Sequence, residues 1–415
     1  MKTTTSFLVQ WLIAFVIILG VCAAAESEDQ PAPGYHIYAG NTHAHTSYTW
    51  SHGDQWFKQK PKDGKRQSAV EVQADGVQHP KQELVLRPVW KNHQGPPSAH
   101  YKIAKACGYD FYVATDHSQE STFQPVSPTN ATWMAAGREA AAATDKNFVA
   151  LRGYEHSENN GPNGKGHLNV INSAEYLNAL AKGVDLPRLY DWLKTVPPNG
   201  EGPVVASFNH PGRDQYNDWA YRDPQITEII TLLEVINSNN KIHYDGFVRA
   251  LDKGWKVSPV CGNDNHGFWG IRNYTSRTFV LATNLTKPGI LEAMKHRRTY
   301  ASLDTNLRCE YYVNGAVMGS TLDKPSVFNF EITVSDPDTA KPADKITKLD
   351  IVTDHGAVAE TYQPTPAYSI RWSPTLNSTT SRYYFVRVWN AGGGDARDPK
   401  PSKPVAWLAP VWTGR

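Results

Sequence analysis

From Tyr35 to about Asp304, short apolar runs alternate with stretches of helical spacing. The runs are rich in Val, Ile, Tyr and Phe. They are Tyr35–Ala39, Asp110–Ala114, Phe148–Leu151, His167–Ile171, Val204–Ser207, Leu233–Ile236, Val257–Val260 and Thr278–Ala282. β-Branched and aromatic residues fit a pleated surface, and short continuous apolar runs read as buried strands. Between them, Ala99–Cys107, Ala131–Ala143, Leu186–Lys194, Asp245–Asp252 and Gly289–Lys295 read as helices. Strand–helix alternation predicts an α/β fold with parallel strands, and roughly 250 residues of it are barrel-sized.

Two stretches break this rhythm. Trp50–Pro97 is polar, with Lys, Gln, Gly and Pro throughout, and reads as a long inserted loop beside a site. After Leu307 the helical pattern ends. Glu310–Val313, Ser326–Val334, Thr347–Val352, Tyr368–Trp372 and Tyr383–Val388 are short strands separated by Asn-Gly, Asp-Pro, His-Gly and Gly-Gly-Gly turns. Such spacing predicts a β-sandwich. The boundary falls near Asp304–Asn306, giving expected units 34–305 and 306–415.

Composition adds three points. Lys2, an apolar stretch from Phe7 to Val21, and Ala23-Ala-Ala25 before an acidic run form the pattern of a cleaved signal peptide over residues 1–25. A secreted or periplasmic chain is expected. An uncleaved anchor, or a lipoprotein site at Cys22, is the alternative, although Val21 is bulkier than such a site normally carries. No other segment is apolar enough to span a membrane. The net charge is +2 with no basic stripe, so a small-molecule partner is expected and nucleic acid is not. Beyond Cys22, Cys107, Cys261 and Cys309 are odd in number and far apart, which leaves no disulfide framework and room for one pair at most.

The histidines matter by placement. Tyr35–Ala39 leads into His43-Ala-His45, and Asp110–Ala114 into Asp116-His117. Phe148–Leu151 leads into Glu155-His156, Val204–Ser207 into His210, and Val257–Val260 into Asp264-Asn-His266. Residues i and i+2 on a strand point to one side, so His43 and His45 can approach one ion or adjacent ions, as can Asp264 and His266. In a parallel barrel the C-terminal strand ends share one face, so these groups converge. Each motif alone is weak, since a single His-x-His or Asp-His is more often a solvated edge or a cap. Their occurrence at successive strand ends points to a metal centre. Imidazole with carboxylate and no thiolate suits Zn, Mn or Fe, and the surplus of ligands suggests two or three ions. His36, His79, His93, His100, His243, His296 and His355 lack this placement.

The series resembles the PHP superfamily, named for polymerase and histidinol phosphatase, over roughly Tyr35 to Asp304. The matching segments are Asn41-Thr-His-Ala-His-Thr46, Ala114-Thr-Asp-His117, Gly153-Tyr-Glu155, His167-Leu-Asn, Asn209-His-Pro211 and Gly262-Asn-Asp-Asn-His266. The resemblance implies a distorted (β/α)7 barrel, followed here by the β-sandwich, and a centre of two or three divalent ions. It implies His43, His45, His117, Glu155, His167, His210, Asp264 and His266 as ligands. One further family position falls near Ser51-His52-Gly53-Asp54, where His52 is the choice and Asp54 the alternative. Farther along, Arg298-Thr-Tyr-Ala-Ser, Val313-Asn-Gly-Ala-Val-Met-Gly319 and Ala406-Trp-Leu-Ala-Pro-Val-Trp412 resemble the secreted branch that includes carbaryl hydrolases.

The expected chemistry is hydrolysis by a metal-bridging hydroxide. Asp264 would orient the nucleophile or take its proton, and Asp116 would orient a neighbouring ligand. Arg213 would bind an anionic group. Phosphoester hydrolysis is the first expectation. Carboxyl ester or carbamate hydrolysis is the second, kept open by Trp219, Phe268 and Trp269. A non-enzymatic surface-binding protein with a degenerate barrel is the third.

Overall fold

The computed structural model describes residues 34–57, 70–72, 77–80, 85–159, 161–212, 215–393 and 403–415. The expected signal segment and Arg213 lie outside the described residues. Seven strands form a curled sheet in chain order: β1 (His36–Asn41), β2 (Phe111–His117), β3 (Val149–Glu158), β4 (Gly166–Ile171), β5 (Val205–Asn209), β6 (Ile230–Asn237) and β7 (Ser258–Cys261). Just past the ends of β1 and β7, Ala44 and Asn265 form a parallel bridge, so the first and last strands meet. The His45 amide donates to the Asn265 carbonyl at 2.9 Å, and the Asp264 amide to the His43 carbonyl at 3.0 Å.

Helices connect these strands. α1 (Pro97–Ala106) and α2 (Ala131–Ala143) lead into β2 and β3; α3 (Leu186–Leu193) and α4 (Tyr244–Asp252) precede β5 and β7. Asn130 caps α2 by accepting from the Trp133 amide at 3.0 Å, and Asp185 caps α3 through the Arg188 amide at 3.0 Å. Both satisfy amides that a helix start leaves without partners. The expected helices are all present, Ala131–Ala143 with both ends as expected and the others with ends shifted by at most two residues.

The expectation of parallel strands needs correction at β4 and at the expected strand Thr278–Ala282, which runs antiparallel to β1. Pairing is parallel for β1–β2, β2–β3, β5–β6 and β6–β7. β4 is antiparallel to both β3 and β5. No helix separates β3 from β4, and so short a connection returns the chain in the opposite direction. The insertion also differs from a plain loop. Its described parts hold a Trp56–Leu86 bridge, the strand pair Val70–Val72 with Gln78–Pro80, and a 3-10 turn at Trp90–Asn92.

The inward faces of the seven strands explain where the site lies. One apolar cluster takes Phe111 and Val113 from β2, Val149 and Leu151 from β3, Ile171 from β4, Val205 from β5, Leu232 from β6 and Val260 from β7. Side chains alternate along a strand with period two. The same faces therefore continue as Thr115 and His117, Gly153 and Glu155, Asn169 and His167, Ser207 and Asn209, and Glu234. The ring interior is oil at one end and imidazole, amide and carboxylate at the other.

The chain continues through β8 (Arg277–Ala282), β9 (Thr299–Ser302), β10 (Arg308–Val313), β11 (Val327–Ser335), β12 (Ile346–Val352), β13 (Val358–Tyr362), β14 (Ser369–Trp372), β15 (Tyr383–Asn390) and β16 (Ala406–Leu408). α5 (Phe268–Asn273) and α6 (Lys287–Lys295) flank β8, and Ile290, Leu291 and Met294 of α6 close the apolar end of the ring. β8 pairs antiparallel with β1, and the sheet runs on through β9, β16, β15 and β12 to β13. Tyr300 of β9 stands opposite Leu408 of β16, so the sheet has no break near Asp304–Asn306. A second sheet holds β10, β11 and β14. The result is a mixed α/β structure with two large sheets. Among the described residues no α-helix follows α6, no helix is long and apolar enough to cross a membrane, and Cys107, Cys261 and Cys309 are free thiols.

Candidate metal centre

The polar end of the ring gathers eight of the residues singled out in the sequence. Strand geometry places them. β2 and β3 extend past their apolar runs, so His117 and Glu155 sit inside strands. Because β4 runs backwards, His167 near its start shares the rim with the far ends of β2 and β3. His43 and His45 follow β1, and Asp264 and His266 follow β7. The Ala44–Asn265 bridge fixes these two segments side by side. His210 and Asp264 adopt positive φ (30° and 47°), a costly backbone for such residues that the surrounding bonds hold in place.

Glu155 is the hub. Its Oε1 lies 3.5 Å from His43 Nε2, 3.2 Å from His167 Nδ1 and 3.4 Å from His210 Nε2. Its Oε2 lies 3.0 Å from His117 Nδ1 and 3.6 Å from His45 Nε2. Asp264 Oδ1 is 3.0 Å from His45 Nε2 and 3.5 Å from His43 Nε2. His45 packs against both the His117 and His266 rings, with centroids 4.3 and 4.1 Å away. Three groups have donor atoms within 4.8 Å of one another: His45–His117–His266, His43–His45–Glu155 and Glu155–His167–His210.

The electrostatics agree with a cation-binding site. Burial lowers the His45 pKa well below the usual value, and the neighbouring His266 and His117 push it the same way. Burial likewise brings His266 down to about 4, against the pull of Asp264. Both rings are thus neutral near pH 7, with lone pairs available. His43 goes the other way, because Glu234, Asp264 and Glu155 outweigh its burial. Burial opposes ionisation of Glu155, but His43, His167 and His117 hold its carboxyl well below the ordinary range. His43 and His45 turn buried Nε2 atoms toward each other at 3.1 Å. Nitrogens and carboxylate oxygens converging in this way fit divalent cations.

Behind these groups stands a residue that the sequence reading missed. Glu234 is fully buried, its Oε1 is 2.7 Å from His43 Nδ1, and its Oε2 accepts from the His210 amide at 2.7 Å. The signal was a lone acid inside the apolar run Ile230–Ile236. Asn209 donates to Glu155 Oε1 at 3.0 Å, and Ser157 to Oε2 at 3.1 Å.

Other singled-out residues lie differently. Asp116 takes the Thr46 and Thr49 amides on Oδ1 at 2.7 and 3.0 Å and the Thr46 hydroxyl on Oδ2 at 2.8 Å. It thereby pins the turn after His45. His52 is exposed, with its ring 6.1 Å from that of His266 and outside the three groups. The Asp54 amide donates to the His266 carbonyl at 2.8 Å. His156 points away from Glu155 into the core, and burial brings its pKa down to about 3.

A cleft of about 620 Å³ opens over Asp264 and His266, with Asp54, Arg87, Trp269 and Tyr274 among its walls. Trp269 is half exposed, whereas Phe268 and Trp219 are buried in the core. Of the three aromatics noted in the sequence, the cleft receives Trp269 alone. Trp219 borders a separate cavity of about 520 Å³ beside Pro211 and Arg249.

No protein-family model matches the chain, and no curated protein matches it. Among solved structures, the chain is similar to a two-domain protein of Bacteroides vulgatus containing a predicted PHP-like metal-dependent phosphoesterase. That match has 17% identity and a TM-score of 0.43, and covers 91% of this chain and 96% of that one. It is also similar to a candidate metal-dependent phosphoesterase of Bifidobacterium adolescentis, at 14% identity and a TM-score of 0.25, over 42% of this chain and 84% of that one.

Proposed function

We propose that this chain is a metal-dependent hydrolase that cleaves phosphoesters of a small-molecule substrate bound in the cleft over Asp264 and His266. The observation that carries this reading is the division of Glu155. One oxygen faces His43, His167 and His210, and the other faces His45 and His117. A carboxylate shared in this way suits two adjacent ions. His43, His45, His117, Glu155, His167, His210, Asp264 and His266 would hold two or three divalent ions, Zn, Mn or Fe. Such ions acidify water and neutralise charge on a phosphoryl oxygen.

The chain's own groups supply the rest. Asp264, in the lining of the cleft, orients the attacking water or takes its proton. Glu234 fixes the His43 ring and the His210 backbone, so neither turns when substrate enters. Asp116 holds the Thr46–Thr49 turn. Arg87, on the cleft wall, offers a guanidinium to the non-reacting phosphate oxygens, the role first given to Arg213. In the same reading the seven-stranded ring is a distorted PHP-type (β/α)7 barrel spanning 34–305. The strands of 306–415 form a β-sandwich that supports it, and residues 1–25 direct secretion. The resemblance of the C-terminal motifs to the carbaryl-hydrolase branch supports kinship with it.

Carboxyl ester or carbamate hydrolysis is the second reading, favoured by the half-exposed Trp269 ring at the cleft. Metal-loaded protein assayed on nitrophenyl phosphates and nitrophenyl carboxylates separates the two. Turnover of the phosphates is expected, and turnover of carboxylates alone would sink the first reading. Fewer than two transition-metal equivalents after reconstitution would favour a binding protein over an enzyme.

A further inference from the structure

A second cluster of ligand-type oxygens lies outside the histidine centre. Asp304 follows β9, Asp336 follows β11, and Asp344 ends the 3-10 turn Pro342–Asp344 before β12. One carboxylate oxygen of each lies within 4.8 Å of the other two. Asp336 is 3% exposed and Asp344 9%. Part of this cluster is satisfied locally. Asp304 Oδ1 accepts the Asn306 and Leu307 amides at 2.8 and 3.1 Å, and Asp336 Oδ1 accepts the Asp338 amide at 2.8 Å.

The remaining oxygens are not. Asp336 Oδ2 and Asp344 Oδ2 are buried and accept a hydrogen bond from no described group, and the same holds for Asn306 Oδ1. A buried acceptor without a donor keeps its full desolvation penalty, and an ionised one keeps a larger penalty. Mutual repulsion adds to it. Burial first, then Asp304, Asp344 and Asp338, push the Asp336 carboxyl up to about 6. Lys341 stands nearby, but its ammonium pairs with Asp338. The group contains no imidazole and no thiol.

We infer that Asp304, Asp336 and Asp344 bind one Ca²⁺ ion, which ties the turn after β9 to the turns after β11 and before β12. Oxygens bound to one Ca²⁺ at about 2.4 Å lie no more than about 4.8 Å apart, and the three carboxylates stay within that limit. Three hard anionic donors, with an amide oxygen close in sequence, suit Ca²⁺. Zn and Fe favour the nitrogen-rich centre instead, and Mg²⁺ dehydrates reluctantly. The ion is structural. It joins a strand that continues the ring's sheet to two turns of the C-terminal strands, and it supplies the partner those buried oxygens otherwise lack.

The test is Ca²⁺ titration of the full chain, with the histidine centre loaded with Zn²⁺ beforehand, followed by calorimetry and thermal unfolding. One Ca²⁺ per chain is expected, with a rise in unfolding temperature of roughly 3 °C at a hundredfold excess over Kd. Asp336→Asn and Asp344→Asn should each abolish that rise. In calcium-free buffer each should unfold at the same temperature as the parent or higher, because one repelling charge is gone. His45→Ala should keep the Ca²⁺ response. The inference is overturned if the parent binds no Ca²⁺ or if both Asn variants keep the full shift. It is equally overturned if either variant is less stable than the parent without calcium, or if His45→Ala loses the response.

Discussion

The two ends of the seven-stranded ring are built from the same strands and the same faces, yet they differ in kind. At one end Val113, Leu151, Val205 and Leu232 pack as a core. Two residues farther along, about 7 Å of strand, the same faces carry Thr115, Gly153, Ser207 and Glu234. The first end gains stability from burial. The second buries carboxylates and imidazoles, which cost free energy unless they are paired or hold ions. The contrast teaches that the apolar end is what lets the polar end exist, and that the two ends should respond to mutation in separable ways.

The largest effect is expected at the polar end. Glu155→Gln removes the charge shared by five imidazoles. The proposed phosphoester hydrolysis should fall well beyond the 10–100-fold typical of a residue behind a ligand, and metal bound after reconstitution should drop below that of the parent. Far-ultraviolet circular dichroism should stay unchanged, and collapse of the fold would break the separation of the two ends. Next comes the apolar end. Leu151→Ala should destabilise by about 2–5 kcal/mol in denaturant titration while metal content and kcat hold. Loss of metal at full folding there would show that the ends are coupled. The smallest effect sharpens the border between them. Glu234→Gln, one strand pitch above Leu232, should lower metal affinity or activity about 10–100-fold, with the unfolding midpoint nearly unchanged.

Much of this architecture was legible in the chain. Strand and helix positions followed from runs of Val, Ile and Tyr and from the helical spacing between them. Seven of the eight convergent ligand-type residues followed from their places beyond those runs, whereas His167, at the start of its run, followed only from the family resemblance. The ends of β2 and β3 were less legible, because inward-facing Thr115, His117, Glu155 and Ser157 resemble loop residues when their partners are unknown. The direction of β4 was hidden, since a residue pattern does not encode which way a strand runs. Glu234 was hidden because only its contacts with His43 and the His210 amide distinguish it from a stray acid. α5 is short and has no period to detect. The continuity of the sheet past Asp304 depends on partners far apart in the chain, which local patterning cannot report.

The pairing of β9 with β16 also bears on how the chain can be handled. Tyr300 and Leu408, 108 positions apart, are neighbours across this ladder. Until that distant segment arrives, β9 offers a row of unpaired amides and carbonyls, the template on which chains stick to one another. Closing so long a loop is slow, although its thermodynamic cost grows only with the logarithm of its length. A chain cut anywhere between these strands therefore meets the cell as a sticky edge, and its yield, more than its chemistry, is what the cut decides.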